Sequence, residues 1–427
     1  MKDNKQYRKA EQLMELGQLE EAESFYPQAL SMYNRASLLY QRIGYQQGIV
    51  QALRKIADIY QKQGAYDKAL QELEKAFLLT EQCDLPNLQS NLHSSAGKVY
   101  ESKGEYETSL SHHCKALALC QRLGNRVAEG ESYGNIGNIH TFLGQPEQAI
   151  GRYKQAVQIA RETGNRKSEG INLANLGIAY QGQSHHDQAI EYYKLSLEIA
   201  REIGDKRGQA QNLGNLGIVF DKLGKSDAAI SCYTQALDIC QQIGNKKGAG
   251  INLGNLGMAY ENLAQYEKAI SHYQASIEIV SDIGNQRPLG IFTGNLGNVF
   301  LKLERWEDAK RYLLQAVAIF EKLGFSLGVI VFKSSLAIVA ARQGDIASAL
   351  AMIKGGEEHV CSTPWEHGKY LCKKALVFHL ANKPDQANRL VQRAKRIAAE
   401  VKANKTSDLG RLIQQIEQTV FDVAKSH

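Results

Sequence analysis

Histidines occur in adjacent pairs, His112–His113 and His185–His186, with Cys114 beside the first. Imidazole and thiolate are zinc ligands, but a tetrahedral site needs three or four converging groups. Neighbouring residues point to different sides of a helix, and no further Cys or His recurs at i+4, so the sequence predicts no metal site and no cofactor. His93 and His140 fall at helical positions filled elsewhere in the chain by apolar or aromatic residues, which predicts packing. Cys361 with His367 or His379 has the composition of a nucleophile–base pair, yet no local nucleophile signature surrounds it. The "GNLG" stretches lack the Gly-Lys-Ser/Thr ending and the preceding strand of a phosphate loop. No enzyme is expected. Two other groups do recur. Asparagine stands at Asn135, Asn175, Asn215, Asn255 and Asn295, and its amide offers two donors and an acceptor, which suits holding an extended peptide by its backbone. Basic residues stand at Arg126, Arg166 and Lys167, Lys206 and Arg207, Lys246 and Lys247, and Arg287. They would suit an acidic peptide, a phosphate group or a nucleic-acid backbone, or serve as solvated charge near a helix C-terminus.

Both series advance by forty residues because the chain itself repeats with that step. "GNIGNIH" begins at Gly134, "ANLGIAY" at Ala174, "GNLGIVF" at Gly214, "GNLGMAY" at Gly254 and "GNLGNVF" at Gly294, with weaker copies from Arg54, Ser94 and Ser334. A second motif keeps the same step, as in "EQAIGRYKQA" from Glu147 and "EKAISHYQAS" from Glu267. A third is punctuation: Gly124, Gly164, Gly204, Gly244 and Gly284, each followed by Asn or Asp. Glycine accepts the left-handed conformation that ends a helix, and Asn or Asp is a favoured N-cap for the next. Each unit therefore reads as helix–turn–helix, with helices of about sixteen residues bounded by caps and breaks.

The pattern resembles the tetratricopeptide repeat: a large residue, Leu-Gly, an aromatic, then Ala, an aromatic and a small residue. In the fifth unit these fall on Leu173, Leu176, Gly177, Tyr180, Ala189, Tyr193 and Ser196. The usual unit is shorter, and the longer form is similar to the repeats of Pins-type polarity adaptors, kinesin light chains and bacterial signalling arrays. The resemblance covers residues 5–360 well and 361–427 weakly. It implies an all-α, right-handed α-solenoid superhelix of nine to ten units with a C-terminal capping helix, its first helices lining a concave groove. Carried onto that fold, the groove would present Asn135, Asn175, Asn215, Asn255 and Asn295. Three residues on stand Asn138, Ile178, Ile218, Met258 and Asn298, and four residues before stand Glu131, Ile171, Gln211, Ile251 and Ile291. Family members that clamp a peptide's C-terminal carboxylate have asparagine at the matching position together with groove Lys and Arg, of which this chain has few. The alternative for the asparagines is a structural role, bonding one another or neighbouring helices.

The ends depart from the register, as capping units do. Residues 1–44 read as an N-terminal capping unit in which Gly17 breaks the first helix early and the second helix is extended. Residues 45–324 hold seven regular units, 325–362 a ninth, 363–403 a degenerate tenth and 404–427 a capping helix. In that helix Leu409, Leu412, Ile413, Ile416 and Val420 share one face.

Composition fits this reading. Six prolines in 427 residues suit a helical chain, and 43% hydrophobic with 22% charged content suits a folded one. The net charge of +6 is too mild to imply nucleic acid by itself, and no aromatic residues interleave with the basic series to supply a base-stacking platform. No apolar run approaches a membrane span, and the start shows no secretory h-region. Seven scattered cysteines without a Cys-x-x-Cys pair suggest reduced thiols and a cytoplasmic protein. The function expected is a scaffold or adaptor whose groove binds a peptide or helix of another protein. The alternative is a sensor subunit that controls a separate signalling or effector protein.

Overall fold

In the computed structural model every helix of the regular region ends one or two residues before the same mark. Residues 24, 44, 64 and onward in steps of twenty to 344 all have positive φ, from Ser24 at 67° to Gly344 at 88°. The backbone N–H after each mark closes the preceding helix, as in Asn125 to the Cys120 carbonyl (2.9 Å) and Gln145 to the His140 carbonyl (2.9 Å). The forty-residue sequence period thus contains two turns of nearly identical geometry. The structure describes residues 5–405 and 407–421.

Residues 1–183 form one compact unit. Among its described residues are α1 (Lys5–Ala22), α2 (Tyr26–Arg42), α3 (Gln46–Lys62), α4 (Tyr66–Gln82), α5 (Pro86–Lys103), α6 (Tyr106–Arg122), α7 (Arg126–Phe142), α8 (Pro146–Glu162) and α9 (Arg166–Gly182). Residues 184–427 form the second. It contains α10 (His186–Glu202), α11 (Lys206–Lys222), α12 (Ser226–Gln242), α13 (Lys246–Asn262), α14 (Tyr266–Asp282), α15 (Gln286–Lys302), α16 (Trp306–Lys322), α17 (Ser326–Arg342), α18 (Ile346–Met352), α19 (Pro364–Leu380), α20 (Pro384–Glu400) and α21 (Asp408–Phe421). The chain is an all-α tandem array, a tetratricopeptide-type α-solenoid.

Within a repeat the two helices meet at a glycine notch. A β-carbon on Gly137 would stand 2.5 Å from the Tyr153 ring, on Gly217 2.4 Å from Tyr233, and on Gly257 2.7 Å from Tyr273. Each of these tyrosines is almost fully buried. Their hydroxyls bond polar groups twelve residues back, Tyr153 with Thr141, Tyr233 to Asp221 and Tyr273 to Glu261, and Tyr33 does the same with Glu21. The notch therefore seats a large side chain whose polar tip still finds a partner.

The N-terminal unit corrects one expectation. Gly17 is not a break; it lies within α1 and is the notch for Tyr33, 2.6 Å from where its β-carbon would be. The break comes at Ser24, in register, and α2 is not extended: its 17 residues match the other second helices. A tyrosine ring sixteen residues downstream explains that glycine, whereas a chain end does not. In the ninth repeat α18 has only seven residues before a 3-10 turn at Gly356–His359, with Gly355 at φ 73°. The final helix α21 packs on α19 and α20 through Leu409, Ile413, Ile416 and Val420; it starts at Asp408, not at residue 404, and residues 422–427, which the sequence also assigned to it, lie outside the described residues.

Candidate protein-binding surface

The asparagine series lies on the partly solvent-facing side of the first helices, and its two halves are used differently. In the first unit Asn175 donates to Asn138 Oδ1 (3.2 Å), which also accepts from the Tyr153 hydroxyl (2.9 Å). Asn135 donates to Ser94 Oγ at 3.5 Å. Here the amides tie one first helix to the previous one, the structural alternative that the sequence left open. Beside them Ile171 and Ile178 remain 51% and 41% exposed, with Asn175 on the same face of α9. Further back, on α1, α3 and α5, a recess of about 100 Å³ has Met14, Val50 and Leu88 as apolar walls and Arg54, Lys55 and Asn91 at its rim.

In the second unit Asn255 is only 8% exposed. Asn215 Nδ2 and Asn298 Oδ1 are buried with no hydrogen-bond partner, while Asn295 reaches the Tyr273 hydroxyl. Ile218, Met258, Ile251 and Ile291 are half-buried. A group of residues that the sequence did not point to also lies against this unit's first helices. Lys373 of α19 donates to the Val331 carbonyl (3.1 Å) and Ser335 Oγ (2.7 Å) on α17, and Ser335 holds the asparagine register of its repeat. The corner between α20 and α21 reaches α11, where Asn404 donates to the Leu223 carbonyl (3.4 Å) across 181 residues of sequence. Charges gather around it. Lys302 pairs with Glu261 (2.9 Å), and Lys369 pairs with Asp408 (2.5 Å) and Glu366 (3.2 Å). Burial raises the Asp221 carboxyl to about 7 despite its bond from Tyr233, with Asp408 adding to the effect. Burial lowers Lys373 to about 8. No period could reveal these contacts, because α21 is not a copy of the repeat and α19 is only a degenerate one.

The basic series also divides. Arg126 pairs with Glu129 (2.6 Å) and with Glu162, and Glu169 receives both Arg166 and Arg161 (2.7 Å). Lys167, Lys206, Arg207, Lys246, Lys247 and Arg287 are exposed. The junction caps behave as their residue types require: Asn125, Asn165, Asp205 and Asn245 each accept from the backbone N–H three residues on.

His93, His112 and His113 serve packing, whereas His140 Nδ1 lies 2.7 Å from Gln145 Oε1 and His367 Nε2 3.1 Å from Glu357 Oε1. His113 is fully buried in the Gly97 notch, the place of a tyrosine in other repeats. His93 Nδ1 lies 3.1 Å from His112 Nδ1, against Phe77. Among the described residues no cluster of three or more His, Cys, Asp or Glu could hold a metal ion, all cysteines are free, and no helix is long and apolar enough to cross a membrane.

Comparison with known proteins agrees with this architecture. The tetratricopeptide repeat profile matches residues 4–82, 88–162, 170–242 and 248–322, and a second profile of the same repeat matches 331–353. A search of curated protein sequences gives no match. Among solved structures the chain is similar to apo RapI (14% identity, 80% of this chain and 95% of that one, TM-score 0.63). It is also similar to the apo quorum sensor NprR from B. thuringiensis (15%, 80% and 99%, 0.58). A third likeness is to aspartyl phosphate phosphatase F from Bacillus subtilis (14%, 85% and 95%, 0.57). At these identities the likeness is one of fold, and a fold hosts sites of more than one kind.

Proposed function

The chain belongs to the tetratricopeptide repeat family, and we propose that it is a protein-interaction module whose first-helix face takes an extended peptide or a helical segment of another protein. The observation that carries this reading is the trio on α9. Ile171 and Ile178, both exposed, flank Asn175, with spacings of four and three residues that keep all three on one face. Aliphatic groups beside an amide can bury apolar side chains of a ligand while bonding its backbone. Asn175 has one of its two amide donors in use toward Asn138, which orients the side chain and leaves the other donor and the carbonyl for a partner.

The test is a quantitative affinity capture with the full chain and an I171S/N175A/I178S variant, followed by cross-linking of the captured partner. The expected result is one or a few partners depleted at least tenfold by the variant and cross-linked to α7 or α9. Equal capture by a folded variant overturns the reading.

A second reading, a sensor that controls a separate effector protein, is favoured by the contact between the α20–α21 corner and α11. A ligand on the second unit's first-helix face would compete with that corner. Solution scattering with and without the captured partner tests it, an unchanged envelope counting against a sensor.

A further inference from the structure

The repeat junctions of the second unit carry a feature that the first-helix face does not explain. At the residue before each left-handed glycine stand Ile203, Ile243, Ile283 and Leu323, exposed by 41%, 40%, 38% and 45%. An aliphatic side chain left so open once is ordinary, but the same position open in four successive units makes a series. In the first unit the equivalent residues are Ile43, Cys83, Leu123 and Thr163, so the continuous aliphatic series is confined to the second.

The charges beside it change at the same place. In the first unit Arg126 and Arg166 are neutralised by Glu129 and Glu169, which stand three residues on. The matching residues of the next three junctions are Gln209, Ala249 and Leu289. Gln209 turns inward to the Ala200 carbonyl (3.0 Å). Lys206, Arg207, Lys246 and Lys247 are left exposed, and among the described residues they make no ion pair. Arg287 lies over the Phe325 ring, 4.6 Å from its centroid, which adds an aromatic surface next to Leu323. The junctions of Ile203 and Ile243 thus offer an aliphatic contact with cationic groups three and four residues away, and that of Ile283 has Arg287 four residues away, while Leu323 is followed at these positions by Ser326 and Leu327. No aromatic series accompanies it for base stacking, and carboxylates rather than bases complement it.

We infer that this junction edge is a second docking surface, separate from the first-helix face, for an extended acidic protein segment with aliphatic residues at regular intervals. The first helices of successive repeats touch one another, α11 with α13 and α13 with α15. Neighbouring helices pack about 10 Å apart, and an extended chain advances about 3.3 Å per residue. One aliphatic residue in about three, with acidic residues between, therefore matches the rungs. The apolar contacts supply affinity, and the lysines and Arg207 select acidic over neutral segments.

The experiment uses the full chain and fluorescence anisotropy of a labelled peptide of four Leu-Asp-Glu triplets, with four Ser-Asp-Glu triplets as the equally charged control. The expected result is saturable binding of the leucine peptide, at least tenfold tighter than the serine peptide. K206Q/R207Q/K246Q/K247Q and I203S/I243S/I283S should each weaken it at least tenfold, with unchanged circular dichroism. Should either variant misfold, K246Q/K247Q and I243S alone should each weaken binding several-fold. The I171S/N175A/I178S variant should bind the peptide as the parent chain does. Absence of binding, equal binding of the serine peptide, or loss on the first-helix variant with none on the junction variants overturns the inference. The last result would assign the peptide to the first-helix face, so failure here and failure of the proposed function are told apart.

Discussion

The ring of Phe292 occupies the space that a side chain on Gly254 would need: a β-carbon there would stand 2.2 Å from Phe292 Cζ. The same relation joins Gly294 to Phe332, at 2.3 Å, and Gly134 to Asn172 Oδ1, at 2.8 Å. At Gly134, Gly254 and Gly294 the glycine that opens the motif is therefore a seat for the first helix of the next repeat. Its helix-propensity cost of about 1 kcal/mol relative to alanine is offset by the burial of a phenylalanine, on the order of 2 kcal/mol.

Gly254→Ala and Gly214→Ala should consequently act in opposite directions, although they hold the same register. At Gly254 the added methyl displaces an aromatic ring, and overpacking of about 1–3 kcal/mol exceeds the propensity gain. At Gly214 the nearest atom, Asn252 Oδ1, is 3.4 Å away, an ordinary contact, so the propensity gain remains. Chemical unfolding followed by circular dichroism should show a lower midpoint for the first variant and an equal or higher one for the second.

The residues that repeat were legible in advance, and those that break the repeat were not. The period located the asparagines, the junction caps and the helix breaks, because one local geometry had been copied with its side chains. Gly17 stands out of the break register, and Tyr33, sixteen residues on, marks it as a notch like Gly137 before Tyr153. The binding face of the second unit was legible only in part. Lys373 over Ser335 and Asn404 against Leu223 are contacts between a non-repeated end and a repeated surface, and neither composition nor spacing encodes them. The exposed Ile203, Ile243 and Ile283 could have been found, since they recur in phase, but a residue beside a turn glycine draws less notice than one on a helix face.

The left-handed mark offers a direct test of backbone strain. Ala264 at φ 56° and Glu304 at φ 58° stand where Gly244 and Gly284 stand in neighbouring turns. A side chain in this conformation costs roughly 1–2 kcal/mol. Ala264→Gly and Glu304→Gly should each stabilise the fold by about 1 kcal/mol, with part of the gain lost to the freer unfolded chain. Gly244→Ala should destabilise it by a similar amount. Unfolding midpoints for the three variants check the set, and the two signs must differ.

A proline explains the one junction asparagine that does not cap. Asn285 makes no side-chain cap bond, whereas Asn245 accepts from Gly248 N at 3.0 Å. The residue three places after Asn285 is Pro288, which has no N–H to give. Asn245→Ala should therefore cost about 1 kcal/mol, and Asn285→Ala much less. In a Pro288→Ser background, where the donor is restored, Asn285→Ala should again cost about 1 kcal/mol. A double-mutant cycle on Asn285 and Pro288 measures the difference as a coupling energy, and a coupling near zero would contradict the explanation.

Acid should loosen the third repeat before the rest. His113 is fully buried against Gly97 with neither ring nitrogen hydrogen-bonded, and burial, aided by Lys98 and His112, lowers its pKa to about 4. Burial likewise lowers His93 to about 4, with His112 and Lys115 adding to the effect. The unfolded chain takes up these protons near 6.5, so the unfolded state binds more protons between about 6.5 and 4. The stability of the neutral histidines is complete above that window and falls as pH decreases through it, by on the order of 1 kcal/mol per pH unit for His113. Leucine fills this position against Gly297 in the eighth repeat, as Leu313. His113→Leu should accordingly flatten the loss between pH 6.5 and 4, and hydrogen exchange in α5 and α6 should be the measurement that reports it. An unaltered pH dependence in that variant would assign the acid response to other groups.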